Sequence, residues 1–139
     1  MSGPSRIVRA GDERLIVAPK TLIVEDERDL LETCVRLLER VGHTCLTAAT
    51  APEAIHLIEL ERPNLVVTDF RLRTLDGLAV TRHARRLSPP VPVLFTTAYT
   101  SGEAKRQARE AGAVLFLPKP FSAADFLDAV NQALAAPLD

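Results

Sequence analysis

The stretch NLVVTDFRL, Asn64 to Leu72, decides how this chain folds. Leu65 to Thr68 have the apolar, β-branched character of a strand buried on both faces, and they deliver Asp69 to the point where such a strand gives way to a loop. An acid in that place is either a turn residue or part of a site. Working outward, short runs of the same kind alternate with longer amphipathic segments. The strand candidates are TLIV (Thr21–Val24), TCLTA (Thr44–Ala48), LVVTD (Leu65–Asp69), VPVLFTT (Val91–Thr97) and VLFLP (Val114–Pro118). Between the first two, ERDLLETCVRLLERVG sets Leu31, Val35 and Leu38 on one helical face, with Gly42 as the stop. TAPEAIHLIELER follows, with Thr50 and Glu53 at capping-box spacing and Pro52 in the first turn. DGLAVTRHARRL, SGEAKRQAREAG and SAADFLDAVNQALAA supply three further helices, the last opened by Ser122 with Asp125 three residues on. The order is a fivefold β–α repeat, which predicts a parallel sheet covered by helices on both faces.

Composition agrees with one core and one domain. The chain has 139 residues, 47% of them hydrophobic, and a formal net charge of −1. That charge provides no overall field toward nucleic acid, and no apolar run approaches the length of a membrane span. The opening MSGPSRIVRAGDERL lacks the apolar segment of a secretory signal. Cys34 and Cys45 have no metal-type or redox spacing and read as reduced core residues in a cytoplasmic protein. Residues 1 to about 19 stand outside the repeat. A tail or linker is the preferred expectation there, with a hairpin around Gly11 and Asp12 as the alternative.

In open parallel sheets, functional groups gather beyond the carboxyl ends of the strands. The first strand ends on Glu25 and Asp26, the third on Asp69, the fourth on Thr97, and the fifth is followed by Lys119. Singly, each has an ordinary reading: helix-start acids, a turn residue, a strand threonine, a solvated lysine. Jointly, three acids repel unless a cation sits among them, and hard oxygen donors with room for water suit Mg2+. A carboxylate beside a cation and an ammonium can attack phosphorus and form an acyl phosphate.

At this level of detail the chain, over roughly residues 20 to 136, resembles the receiver domain of two-component response regulators. The resemblance rests on LIVEDE, on LVVTDFRL followed by LDGL, on VLFTTAY, and on AGAVLFLPKPF. It implies a flavodoxin-like, CheY-like (βα)5 doubly wound sheet with strand order 2-1-3-4-5. It further implies that Asp69 accepts a phosphoryl group from a histidine kinase or histidine phosphotransfer protein. Glu25, Asp26, Asp69 and the Arg71 carbonyl would hold Mg2+, Thr97 and the Ala98 amide would meet phosphoryl oxygens, and Lys119 would pair with the phosphate. Phe116 matches the aromatic switch position, and the Lys119-Pro120 bond is expected to be cis. Three features depart from the commonest pattern of that family. Glu25 replaces an aspartate, Arg73 replaces a proline, and Arg71 and Tyr99 are large enough to shield an acyl phosphate from water.

The same resemblance implies that phosphorylation draws Thr97 in, turns Phe116 inward and shifts the face made by the fourth helix, fifth strand and fifth helix. Lys105, Arg106, Arg109, Phe116 and Asp125 are the contact candidates on that face. The fourth helix presents only Ala104, Ala108 and Ala111 to a core, so it should be weakly held. The basic run TRHARRL reads as a solvated helix face, and His43, His56 and His83 show no ligand spacing. The expected partners are therefore a kinase or phosphotransfer protein and an unidentified downstream protein, without direct nucleic-acid or membrane contact, the chain being a monomer or a phosphorylation-dependent dimer. A receiver detached from a hybrid histidine kinase is a close variant. A small Mg2+-dependent aspartyl phosphatase is a different class, but Arg71 stands where such an enzyme of the haloacid dehalogenase type needs a second acid. An FMN carrier would want a Gly, Ser and Thr-rich loop where this chain has EDERD.

Overall fold

The computed structural model describes residues 6–10, 13–72, 77–98 and 101–137, with side chains from Ala18 onward. Five parallel strands, β3 (Lys20–Val24), β4 (Thr44–Ala48), β5 (Leu65–Asp69), β6 (Val93–Thr97) and β7 (Leu115–Pro118), form one sheet in the order β4-β3-β5-β6-β7. Counted within the repeat, this is 2-1-3-4-5, as expected. The helices are α1 (Arg28–Arg40), α2 (Ala51–Glu61), α3 (Gly77–Arg86), α4 (Gly102–Ala111) and α5 (Ala123–Ala135).

Of the two expectations for the N-terminal segment, its described residues take the hairpin. β1 (Arg6–Ala10) and β2 (Glu13–Val17) pair antiparallel, with Ile7 opposite Ile16 and Val8 opposite Leu15, as a separate two-stranded sheet. Two runs of matched apolar spacing, close enough for a short turn, favour the hairpin. Gly11 and Asp12 themselves lie outside the described residues.

The alternation of side chains along each strand divides the core into two layers. Leu22, Val24, Val66, Val93 and Phe95 point to one face and pack with Ala54 and Ile58 of α2, Val80 and Ala84 of α3, and Ala104 and Ala108 of α4. Ile23, Leu65, Val67 and Leu94 point to the other, against Cys34 and Leu38 of α1 and Phe126, Val130 and Ala133 of α5. Every residue of β5 and β6 is buried. That is why these strands read as continuous apolar runs, and burying each large side chain contributes roughly 1.5–3 kcal/mol.

Capping follows the sequence closely. The Thr50 hydroxyl accepts from the Glu53 amide at 3.3 Å, Ser101 from Ala104 at 3.1 Å, and Ser122 from Asp125 at 3.0 Å. Helix α1 closes with the His43 amide donating to the Leu38 carbonyl at 3.0 Å, past Gly42 at φ +97°. As expected, α4 buries only its three alanines, while Arg106 pairs with Glu103 and Glu110 on the exposed side. Cys34 and Cys45 are free thiols; burial pushes Cys34 up to about 12 and Cys45 up to about 11, so neither forms a thiolate readily near neutral pH. The Ser88-Pro89 and Lys119-Pro120 bonds are both cis.

His43 is buried beside β3, with its Nδ1 2.8 Å from the Thr21 hydroxyl. Burial holds the imidazole below its ordinary range. The unfolded chain therefore takes up a proton at His43 before the folded chain does, and this contribution to stability falls as pH drops through ~6.5. Urea midpoints measured from pH 7.5 to 5 are expected to decline more in wild type than in His43→Gln.

Candidate phosphoacceptor site

Four strand ends build the site. β3 runs into Glu25, which is buried, and Asp26, which is half-buried; the Glu25 amide donates to the Ala48 carbonyl at 3.0 Å and so fixes where the acidic pair begins. β5 ends on Asp69, 9% exposed. β6 ends on Thr97, fully buried, and the Lys119 amide donates to the Thr97 carbonyl at 2.7 Å. That backbone bond sets Lys119, just beyond β7, beside the other groups. Ala98 and the Arg71 side chain are exposed at the rim.

The geometry brings the expected residues together. Carboxylate oxygens of Glu25, Asp26 and Asp69 lie within 4.8 Å of one another. The Lys119 ammonium is 2.8 Å from Glu25 Oε1 and 3.5 Å from Asp69 Oδ2. Glu25 Oε2 accepts from the Glu27 amide at 3.0 Å. The longer arm of glutamate thus reaches both the lysine and the start of α1, a double engagement not visible in the sequence. Burial raises the Asp69 carboxyl most; Lys119 pulls it back, Glu25 raises it further, and the balance lies above the ordinary value. Burial pulls the Lys119 ammonium down, but Glu25 and Asp69 outweigh it and hold it up. Charge at Asp69 is therefore kept at a cost to the fold, and excess negative charge in a pocket of hard oxygens is what a divalent cation neutralises. The donor set fits Mg2+.

One further residue shapes the site from the start of α3. Gly77 begins α3 directly against β5, where a Cβ would sit 2.1 Å from the Asp69 carbonyl oxygen and 3.2 Å from the Thr68 hydroxyl. Its amide donates to the Phe70 carbonyl at 2.8 Å, and the Thr81 hydroxyl donates to the Gly77 carbonyl at 2.8 Å. The clue in the sequence was a glycine eight residues after a candidate site acid, but only the fold shows what it touches. Phe116 is half-buried on β7. Arg73 and Tyr99, expected respectively to loosen the loop and to shield the phosphoryl group, lie outside the described residues. His83 pairs with Glu59 of α2 at 2.7 Å and has no place in the site.

The sequence model for the response regulator receiver domain matches residues 21–131, and the chain belongs to that family. Among curated relatives, the transcriptional regulatory protein PdtaR of Mycobacterium tuberculosis is 32% identical over 137 residues, covering 97% of this chain and 63% of its own length. The response regulator MprA of Mycolicibacterium vanbaalenii is 36% identical over 108 residues, 78% of this chain and 47% of the relative. The C4-dicarboxylate transport transcriptional regulatory protein DctD of Rhizobium meliloti is 31% identical over 116 residues, 84% of this chain and 25% of the relative. The chain thus spans less than two thirds of each. The CheY-like receiver domain of Methanospirillum hungatei superposes with TM-score 0.79 at 31% identity, covering 84% of this chain and 93% of that one. The non-phosphorylated HemR receiver domain of Leptospira biflexa gives 0.79 at 31%, covering 86% and 96%. This is a receiver domain of two-component signalling with the CheY-like fold.

Two outcomes follow from the site's packing and charge. Gly77→Ala is expected to lower stability by about 1–3 kcal/mol, because strand backbone rather than a flexible side chain must move; urea unfolding measures it. Asp69→Asn is expected to raise the thermal midpoint at pH 7 in EDTA. Because the folded pKa lies above the unfolded one, the wild-type penalty sets in as pH rises through the folded value, so the gain should vanish below ~pH 4.

Proposed function

We propose that residues 20–136 act as a phosphoryl-accepting switch, with residues 1–19 as an extension, and that Asp69 is the acceptor. The observation that carries this reading is the convergence of three carboxylates within 4.8 Å, with a lysine ammonium 3.5 Å from Asp69. The donor is a phosphohistidine on a histidine kinase or phosphotransfer protein. An Asp69 carboxylate oxygen attacks phosphorus, the phosphorus–nitrogen bond breaks, and the electron pair leaves on the imidazole nitrogen, forming an aspartyl phosphate. Lys119 already stands beside Asp69, where its charge pairs with the phosphoryl oxygens and costs little reorganisation. Thr97 and the Ala98 amide take the remaining oxygens.

Glu25, Asp26, Asp69 and the Arg71 carbonyl would hold Mg2+. The ion supplies charge neutralisation for the transferring phosphoryl group. Glu25 has a second role in this chain, since its hold on Lys119 keeps the ammonium aimed at Asp69.

The output is a change of the α4–β7–α5 face, biased by Thr97 and Phe116, with Lys105, Arg106, Arg109 and Asp125 as contact residues for a downstream protein. What supports this is the thin attachment of α4, which rests on three alanines. A helix held by so little buried area moves at low cost when a local charge changes. The setting is the cytoplasm, where the donor kinase's phosphohistidine is made. Among the described residues no helix is long and apolar enough to cross a membrane.

Incubation with Mg2+ and acetyl phosphate, followed by intact mass, tests the chemistry without the unidentified kinase. Wild type is expected to gain one phosphoryl group and Asp69→Asn none, and EDTA should abolish the gain. A chain that stays unmodified while binding Mg2+ would overturn the phosphoacceptor reading.

A further inference from the structure

Three aromatic rings lie in series between the site and α4. Phe70, the residue after Asp69, meets Phe95 of β6 edge to face, with centroids 5.6 Å apart and planes at 67°. Phe95 meets Phe116 of β7 at 6.4 Å and 31°. Both ends carry a cation. The Arg71 guanidinium lies 6.0 Å from the centre of the Phe70 ring, and the Lys105 ammonium of α4 lies 5.8 Å from that of Phe116. Phe95, the middle ring, is completely buried, and Phe70 nearly so.

We propose that this column, Arg71–Phe70–Phe95–Phe116–Lys105, latches α4 in the resting state and carries the state of Asp69 to it. For its second half the inference rests on the phosphoacceptor reading above. A lysine over a ring face is held by the ring's quadrupole. On α4 that contact matters more than on most helices, because the apolar anchor beneath it is only Ala104, Ala108 and Ala111. At the other end, the Arg71 guanidinium is attached two residues from Asp69. A phosphoryl group there offers it a charge-assisted pairing stronger than the ring face, so phosphorylation withdraws the cation from Phe70. Phe95 cannot shift alone, since its neighbours are close-packed, and any reorientation of Phe70 is felt at Phe116. Turning of Phe116 then removes the surface beneath Lys105, and α4 loses its latch.

The test compares amide hydrogen exchange across Glu103 to Ala111 in the full chain, as wild type, Lys105→Met, Phe95→Leu and the double variant. Each is measured unmodified and after acetyl phosphate with Mg2+, with phosphoryl content counted by intact mass. In the unmodified protein Lys105→Met is expected to speed exchange of α4 about threefold, and to add little when Phe95 is already leucine. Phosphorylation is expected to speed α4 exchange in wild type and to do so by less than about half as much in Phe95→Leu. Additive effects in the unmodified protein, or an undiminished response in phosphorylated Phe95→Leu, would overturn the column. If wild type takes up no phosphoryl group, the phosphoacceptor reading fails, and the unmodified cycle alone still decides whether the latch exists. Should Phe95→Leu not fold, Phe70→Leu breaks the same series at its far end, away from Lys105, and carries the same comparison.

Discussion

One ammonium group shared by two nearly buried carboxylates joins the ends of this fold. Lys119 and Glu25 are 94 residues apart in sequence and 2.8 Å apart in space. Neither carboxylate is well solvated, and removing the lysine would leave two acids facing each other with burial against them both. The rest of the site follows from satisfying that triad. The parallel order brings β3, β5 and β7 to one rim, the Lys119 amide ties itself to the Thr97 carbonyl, and α3 starts on a glycine so that Asp69 keeps its place. A site assembled from opposing charges in a poorly solvated rim is responsive by construction, because any added charge shifts a balance that is already close.

Much of this was legible in the sequence because it rests on local rules. Strand bounds shifted by no more than two residues, as at Val93 in place of Val91, and Thr50, Ser101 and Ser122 cap the helices they precede. The site acids were visible because several of them, each with an ordinary reading alone, stand together at the ends of adjacent strands. What escaped depends on reach and on neighbours distant in sequence. The second engagement of Glu25 needs the extra methylene and the start of α1 in their actual places. The methyl forbidden at Gly77 needs the α3 start to be seen against β5. The ring series needs three strands' side chains on one face, and the periodicity of each strand, taken alone, reports only a hydrophobic position. The hairpin β1–β2 stood only as the alternative for a different reason: two five-residue strands carry so little pattern that a tail was preferred.

The two layers of the core differ in how they hold their helices. On one side α1 and α5 clamp the sheet with Leu38, Phe126 and Val130, large side chains with almost no exposure. On the other, α4 contributes alanines and relies on a polar outer face, where Arg106 spans Glu103 and Glu110. Such exposed pairs are screened by water and add little, and they stabilise the helix against unwinding more than against leaving the sheet. Helix α4 is thus intact as a helix yet loosely docked. It is a rigid body on a soft mount.

The position of β7 at the sheet's edge has a consequence for the order in which the molecule comes into being. A chain emerging from the ribosome carries Glu25, Asp26 and Asp69 long before it carries Lys119, and β7 has only β6 to pair with. Until that last strand docks, the acids lack their counter-charge, the Lys119 ammonium that pairs with Glu25 and Asp69. Partly made chains therefore carry unbalanced acids at the rim of the sheet. Completion of the sheet and neutralisation of its acidic rim become the same event.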